Sequence, residues 1–95
     1  MRTSRQKAAT MSKLPAIKSR KFVRFIRLLG YEYDRPGKGS HERYHLKGPV
    51  CGDGNLTFAR SAGTIPGGTL NGMLKLISEH TGKSVAELRE MLESL

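Results

Sequence analysis

The chain has 95 residues, the size of one domain with one modest core. Its single cysteine, Cys51, excludes an internal disulfide and a metal site built from several cysteines. No apolar run approaches the ~20 residues of a membrane-spanning helix. The basic N-terminus lacks the apolar block of a secretory signal, so we expect a cytoplasmic protein that crosses no membrane.

The positive charge is concentrated in the first third of the chain. The net charge is +9, and nine of the 17 lysines and arginines precede Glu32, where no acidic residue occurs. Because such a segment attracts polyanions, nucleic acid is the first expected partner, with an acidic protein or membrane surface as alternatives. Residues 1–17 show no helical or strand period, which predicts a flexible basic arm.

The first predicted helix begins near Ser19 and ends near Gly30, which have the chemistry of an N-cap and a C-terminal cap. Apolar residues recur between them at helical spacing, as Phe22, Val23, Ile26 and Leu29. Arg20, Arg24 and Arg27 recur at i, i+4 and i+7 on another face. That face is either a solvated surface or a ridge that contacts phosphates, and spacing alone does not separate the two.

Three short strands are predicted next, and alternation of apolar and polar residues indicates where they lie. They cover residues 31–34, 40–46 and 56–59, with turns at 35–39 and 48–55. If Tyr44 faces the core in the second strand, then His41, Arg43 and His45 share the opposite face. We therefore expect one buried sheet face and one free face that carries these polar side chains.

Two further helices follow the strands. Residues 66–69, Pro-Gly-Gly-Thr, open the first, and Gly82 ends it. His80, near its end, is expected to be a positive partner of the helix C-terminus. Residues 84–87 form a capping box that starts a short acidic helix. The predicted fold is α+β: a helix, a three-stranded antiparallel sheet, a second helix and an added C-terminal helix.

From about Lys18 to Gly82 the chain resembles the HicA family of small RNA-cutting toxins. Four segments carry the resemblance in order and interval: Leu-Leu-Gly-Tyr at 28–31, Gly-Ser-His at 39–41, Leu-Thr-Phe at 56–58 and Ile-Pro-Gly-Gly-Thr-Leu at 65–70. The turn at residues 36–38 is one residue longer than usual, and Glu42 stands where many members have a second histidine. The resemblance implies a double-stranded-RNA-binding-domain-like fold over 18–82, extended by an N-terminal arm (1–17) and a C-terminal helix (83–95) packed on the domain.

The resemblance also implies a function and a site. His41 occupies the position of the family's catalytic histidine, and the activity is that of an endoribonuclease (an mRNA interferase) that inhibits translation. The expected partners are mRNA and a HicB-like antitoxin that covers the His41 face, and no membrane is among them.

The chemistry of the residues agrees with such an activity. A histidine with a free pKa near ~6.5 can accept or donate a proton in attack by the RNA 2′-hydroxyl. No cofactor or metal is expected, since no carboxylate cluster suits Mg²⁺. The expected phosphate contacts are Lys38, Gly39, Ser40, Arg43, Gly67, Gly68, Arg20, Arg24 and Arg27. His45 is the candidate for a second proton-transfer group.

Two other functions remain open from the sequence. A non-catalytic RNA-binding module of the same fold would explain the charge and the glycine-rich turn, with His41 as an RNA contact. An interaction protein that docks an acidic partner or DNA through residues 1–17 would explain the basic arm. Gly67 and Gly68 can equally form a tight turn before a helix, and His45 can equally be an ordinary histidine at the edge of the core.

Overall fold

The computed structural model describes residues 14–36, 41–59 and 63–95, which form a small α+β domain. Its elements in chain order are β1 (Ile17–Lys18), α1 (Ser19–Leu28), β2 (Glu32–Pro36), β3 (His41–His45), β4 (Asn55–Ala59), β5 (Thr64–Ile65), α2 (Gly67–Thr81) and α3 (Val85–Glu93). Among the predictions, those on residues 1–13 and on Lys38, Gly39 and Ser40 lie outside the described residues.

The predicted three-stranded antiparallel sheet is confirmed. Its strand order is β2-β3-β4, so each strand pairs with its neighbour in the chain. The register sets His41 opposite Ala59 and Tyr44 opposite Leu56. Because side chains alternate along a strand, this register assigns Tyr44 and Leu56 to one face and His41 to the other.

The core lies between the sheet and the helices. Tyr44 is 1% exposed and faces the core as predicted, and Leu56 and Phe58 of β4 are buried beside it at 1% and 3% exposure. The rings of Tyr44 and Phe58 stack with centroids 5.5 Å apart, and Phe22 of α1 meets Phe58 edge-on at 5.1 Å. Aromatic contacts of this kind add to the burial of apolar area and fix α1 on the sheet.

The start of α1 differs from the prediction. Lys18 is the N-cap residue and Ser19 is the first helical residue, with no side-chain cap at this end. Ser19 is buried, and its backbone N–H donates to the carbonyl of Gly63 at 3.0 Å. The reason is the pair β1–β5, which joins Ile17 to Ile65 and carries the chain straight from a strand into the helix.

The folded domain also begins earlier than the predicted boundary between residues 17 and 18. Ile17 lies in β1, and Leu14 and Ile17 pack against the core. A side chain on Gly67 would overlap the carbonyl oxygen of Leu14, so this close approach requires glycine at the start of α2. Residues 14–17 therefore belong to the domain rather than to an arm.

The two C-terminal helices have the predicted ends. Gly82 adopts a φ of 79° after α2, a left-handed conformation that glycine reaches without strain. The Ser84 hydroxyl accepts from the Glu87 backbone N–H at 3.1 Å and caps α3. Leu88 and Leu92 of α3 are buried in the common core. No helix within the described ranges has both the length and the apolar character needed to cross a bilayer.

Candidate functional site

His41 lies at one end of the sheet, where β3 begins. It is exposed and faces away from Tyr44, on the face that we call the open face: the side of the sheet that carries His41, Arg43 and His45. His41 also lines a cleft of about 290 Å³ between the edge strand β4 and the start of α2. The cleft gives the imidazole access to a ligand while the paired strand fixes its backbone.

The same cleft reaches the N-terminal end of α2 through Pro66 and Thr69. The Pro66 carbonyl accepts from the Leu70 N–H at 2.8 Å, the first bond of the helix. The amides of residues 67–69 precede that bond and have no intrahelical partner. They also form the positive end of the helix dipole, which favours an anion. His41 and a site suited to phosphate therefore adjoin one cleft.

The two glycines at this helix end have different structural roles. The close approach of the Leu14 backbone leaves no room for a side chain at position 67, so packing explains why Gly67 is a glycine. A side chain at Gly68 would meet nothing within 4 Å, so packing leaves that position open. Of the two glycines predicted to contact phosphate, Gly68 is the exposed one.

Glu42 does not place a carboxylate on the open face beside His41. It pairs with Phe58 across the sheet and so points to the core side. There the Tyr44 hydroxyl donates to Glu42 Oε1 at 3.3 Å. The Glu42 carboxylate therefore lies on the opposite face of the sheet from the His41 imidazole.

His45 and Arg43 line a different cleft from His41. This second cleft of about 370 Å³ lies on the open face, over β2 and β3. His45 is four positions beyond His41 along the strand, about 13 Å by rise. Two groups that act on one scissile phosphate must both reach its oxygens, so the structure does not bring the two histidines together as an acid–base pair.

The three arginines of α1 line neither of these two clefts. Arg20, Arg24 and Arg27 are all exposed. Arg20 and Arg24 line a basic cleft of about 210 Å³ with Lys18 and Lys21. Four cations around one depression form a surface that attracts polyanions without base recognition.

His80 is buried, contrary to the expectation of a charge partner at the end of α2. It is 1% exposed, and its Nδ1 forms a 2.7 Å hydrogen bond with the hydroxyl of Tyr31. Its Nε2 is buried with no hydrogen-bond partner within the described residues. Burial raises the pKa of Tyr31 to about 12. The sequence signal for this was position: His80 follows Ile77 at i+3 and continues the apolar stripe of α2.

Arg35 was predicted in a turn and lies instead in β2. The register shifts between Tyr33 and Arg35, so a bulge at Asp34 sets Arg35 directly opposite Arg43. A one-residue shift of this kind has no sequence signature in a strand this short.

Among the described residues, no three His, Cys, Asp or Glu side chains are grouped so that they could hold a metal ion. Comparison of the chain with protein-family models, with curated proteins and with solved structures finds no match.

Proposed function

We propose that this protein is a HicA-like toxin: a metal-independent endoribonuclease with a double-stranded-RNA-binding-domain-like fold that cleaves mRNA and so inhibits translation. The support is the chain order of helix, antiparallel three-stranded sheet and helix, together with the four sequence segments quoted above. The observation that carries the proposal is the exposed His41 in a cleft that reaches the N-terminal end of α2.

The proposed reaction uses the nucleophile that RNA itself carries. The 2′-hydroxyl loses its proton and its oxygen bonds to the adjacent phosphorus. The bond from phosphorus to the 5′-oxygen then breaks, and that oxygen takes up a proton. The products are a 2′,3′-cyclic phosphate and a free 5′-hydroxyl. His41 performs one of the two proton transfers, a role typically worth ~10²–10⁴ in rate.

Positive groups around the cleft would stabilise the charge that grows on the phosphate. The amides at the start of α2 suit a non-bridging oxygen, because they point out of the helix end and carry partial positive charge. Lys38, Gly39 and Ser40 keep their expected role as phosphate contacts. In this proposal a HicB-like antitoxin controls the enzyme by covering the open face and the His41 cleft.

The test compares the wild type with His41→Ala on a long single-stranded RNA in excess EDTA. We expect cutting by the wild type, with cyclic-phosphate ends, and cutting slower by about 10²–10⁴ in the variant. Lys75→Ala, at an exposed position of α2, is the matched control and should cut like the wild type. Equal cutting by wild type and His41→Ala would assign the activity to another group and reject His41 as the catalytic residue.

The basic cleft on α1 favours one second candidate, a non-catalytic RNA-binding module on the same fold. Its four cations, Lys18, Arg20, Lys21 and Arg24, suit a phosphate backbone whether or not the RNA is cut. Absence of cutting by purified wild-type protein, with salt-dependent RNA binding by both wild type and His41→Ala, would support this candidate over the nuclease.

A further inference from the structure

The open face carries two rows of side chains that cross the strands beside His41. Residues directly opposite one another in a sheet point to the same side, so the register defines each row. The first row is Glu32, His45 and Asn55, and the second is Arg35, Arg43 and Thr57. All of them except Thr57 line the 370 Å³ cleft.

The second row places two positive charges opposite each other. Like charges at directly paired positions of a sheet repel and lower stability. The bulge at Asp34 creates this arrangement, because without the register shift Arg35 would point to the other face. The bulge therefore pairs two arginines although their repulsion lowers stability. We infer from this that the two arginines bind one anion between them.

Asp34 offsets only part of this charge. Its carboxylate lies 3.5 Å from Nε of Arg35, and the two side chains are 36% and 66% exposed. An ion pair exposed to this degree contributes little and leaves the terminal nitrogens of the guanidinium free to bind. Within the described residues Arg43 forms no ion pair. Two guanidinium groups with free planar forks match the oxygens of a phosphate.

The first row presents hydrogen-bond acceptors. The Oδ1 of Asn55 lies 3.0 Å from Nδ1 of His45, and since an amide oxygen only accepts, Nδ1 is the donor. In the neutral tautomer with its proton on Nδ1, the ring carries its lone pair on Nε2. The carboxylate of Glu32, directly opposite His45, also offers acceptor oxygens. This end of the cleft suits a base that carries donors on its Watson–Crick edge.

We propose that this cleft binds one nucleotide of single-stranded RNA, with its phosphate on Arg35 and Arg43 and its base against Glu32 and His45. Guanine fits best, because its Watson–Crick edge carries two adjacent donors that match one carboxylate. The cleft adjoins His41 along β3, since two residues of strand rise by about 7 Å. The choice of RNA as the ligand rests on the proposed function. The proposal places recognition of the nucleotide next to the cut on a surface outside the His41 cleft.

The first experiment measures binding, in a His41→Ala background that leaves the RNA uncut. A fluorescent single-stranded oligonucleotide is titrated at several salt concentrations with the parent and with Arg35→Gln/Arg43→Gln. If the two arginines hold one phosphate, the slope of log affinity against log salt should fall by about 0.7. Lys75→Gln/Lys83→Gln removes the same charge from α2 and the turn that follows it, where Lys83 pairs with the exposed Glu87 at 3.7 Å, and its slope should match the parent.

A second pair of substitutions separates charge from geometry. Arg35→Lys/Arg43→Lys keeps both charges but loses the planar forks, so it should keep the salt slope and bind more weakly than the parent. Arg35→Gln/Arg43→Gln should melt at or above the parent temperature, because it removes the repulsion between the paired charges. The lysine pair should melt close to the parent, because neither side chain is in the core. Equal salt slopes for Arg35→Gln/Arg43→Gln and for Lys75→Gln/Lys83→Gln would overturn the phosphate site.

The base is tested with oligonucleotides that differ at one position. The parent should bind the guanosine form at least about fivefold more tightly than the uridine form. Glu32→Gln should remove most of that difference, because an amide presents a donor where the carboxylate only accepts. No preference in the parent, or an unchanged preference in Glu32→Gln, would overturn the assignment of the base.

RNA cutting reports on His41, whereas the salt slope reports on Arg35 and Arg43. If the wild type does not cut RNA but the arginine pair alters the salt slope, the nucleotide site stands and the catalytic role of His41 falls. If the wild type cuts and the arginine pair binds with the slope of its control, the nuclease stands and the nucleotide site falls.

Discussion

His41 and His80 are the same side chain in opposite environments. His41 is exposed on the open face at the beginning of β3, beside a cleft and a helix N-terminus. His80 is buried behind the sheet, bonded to Tyr31, and its backbone carbonyl accepts from Val50 at 2.7 Å. Only the first can reach a phosphate, whereas the second can only hold the fold together. A histidine is therefore a catalytic candidate by its surroundings and not by its chemistry alone.

Replacing His41 should have the largest effect of any change at a histidine. We expect His41→Ala to lower the rate of RNA cutting by about 10²–10⁴, because a proton-transfer group is lost. Its free energy of unfolding should change by about 0.5 kcal/mol or less, as at other exposed positions. Single-turnover cutting and urea denaturation measure the two quantities. If His41→Ala cut RNA at the wild-type rate, His41 would have no catalytic role and would not differ from His80 in function.

Replacing His80 should act on stability instead. His80→Ala leaves a cavity and an unpaired Tyr31 hydroxyl, so we expect the free energy of unfolding to fall by about 2–4 kcal/mol. The folded fraction should still cut RNA when assayed well below the melting temperature. Glu79→Ala, at the exposed neighbouring position, is the control and should change stability by about 0.5 kcal/mol or less. Loss of cutting at unchanged stability would give His80 a role that its burial does not suggest.

Tyr31→Phe sharpens the comparison by removing only the hydroxyl. It leaves His80 Nδ1 without its partner, and we expect a loss of about 1–2 kcal/mol in the free energy of unfolding. Urea titrations of wild type and variant at neutral pH measure this loss. No loss in the variant would mean that the hydrogen bond contributes nothing to the fold.

The same tyrosine predicts an alkaline loss of stability. Its pKa is raised from 10.0 to about 12 in the fold, so the protonated hydroxyl is favoured in the native state. The resulting gain in the free energy of unfolding is present in full below the pKa of the unfolded chain and is lost as the pH rises from about 10 to about 12. Wild type should therefore lose more stability than Tyr31→Phe across this window. Tyr33→Phe, at a 45% exposed position, is the control and should follow the wild type.

The smallest expected effect belongs to the third histidine. His45 lies about 13 Å along β3 from His41 and lines the other cleft, so we do not expect it to take part in the proposed proton transfers. We expect His45→Ala to lower the cutting rate by less than about tenfold, through weaker RNA binding. Cutting is measured below and at saturating RNA, and the loss should appear below saturation and disappear at saturation. A loss of cutting rate as large as that of His41→Ala would mean that both clefts belong to one active site.

The sequence by itself determined the elements that depend on local chemistry. The apolar period of α2 and its end at Gly82 are readable because backbone conformation and neighbouring side chains decide them. Alternation in β3 likewise predicted that Tyr44 is buried and that His41 lies on the opposite face. The capping of α3 by Ser84 follows from the same local rules.

Only the tertiary structure decided the features made by residues distant in the chain. The pairing of Ile17 with Ile65 extends the domain to residues before Lys18, and the hydrogen bond between Tyr31 and His80 spans 49 positions. The approach of His41 to the start of α2 and the bulge that aligns Arg35 with Arg43 depend on how strands and helix pack. Local pattern fixes which face a side chain takes, but packing and register fix which side chain it meets.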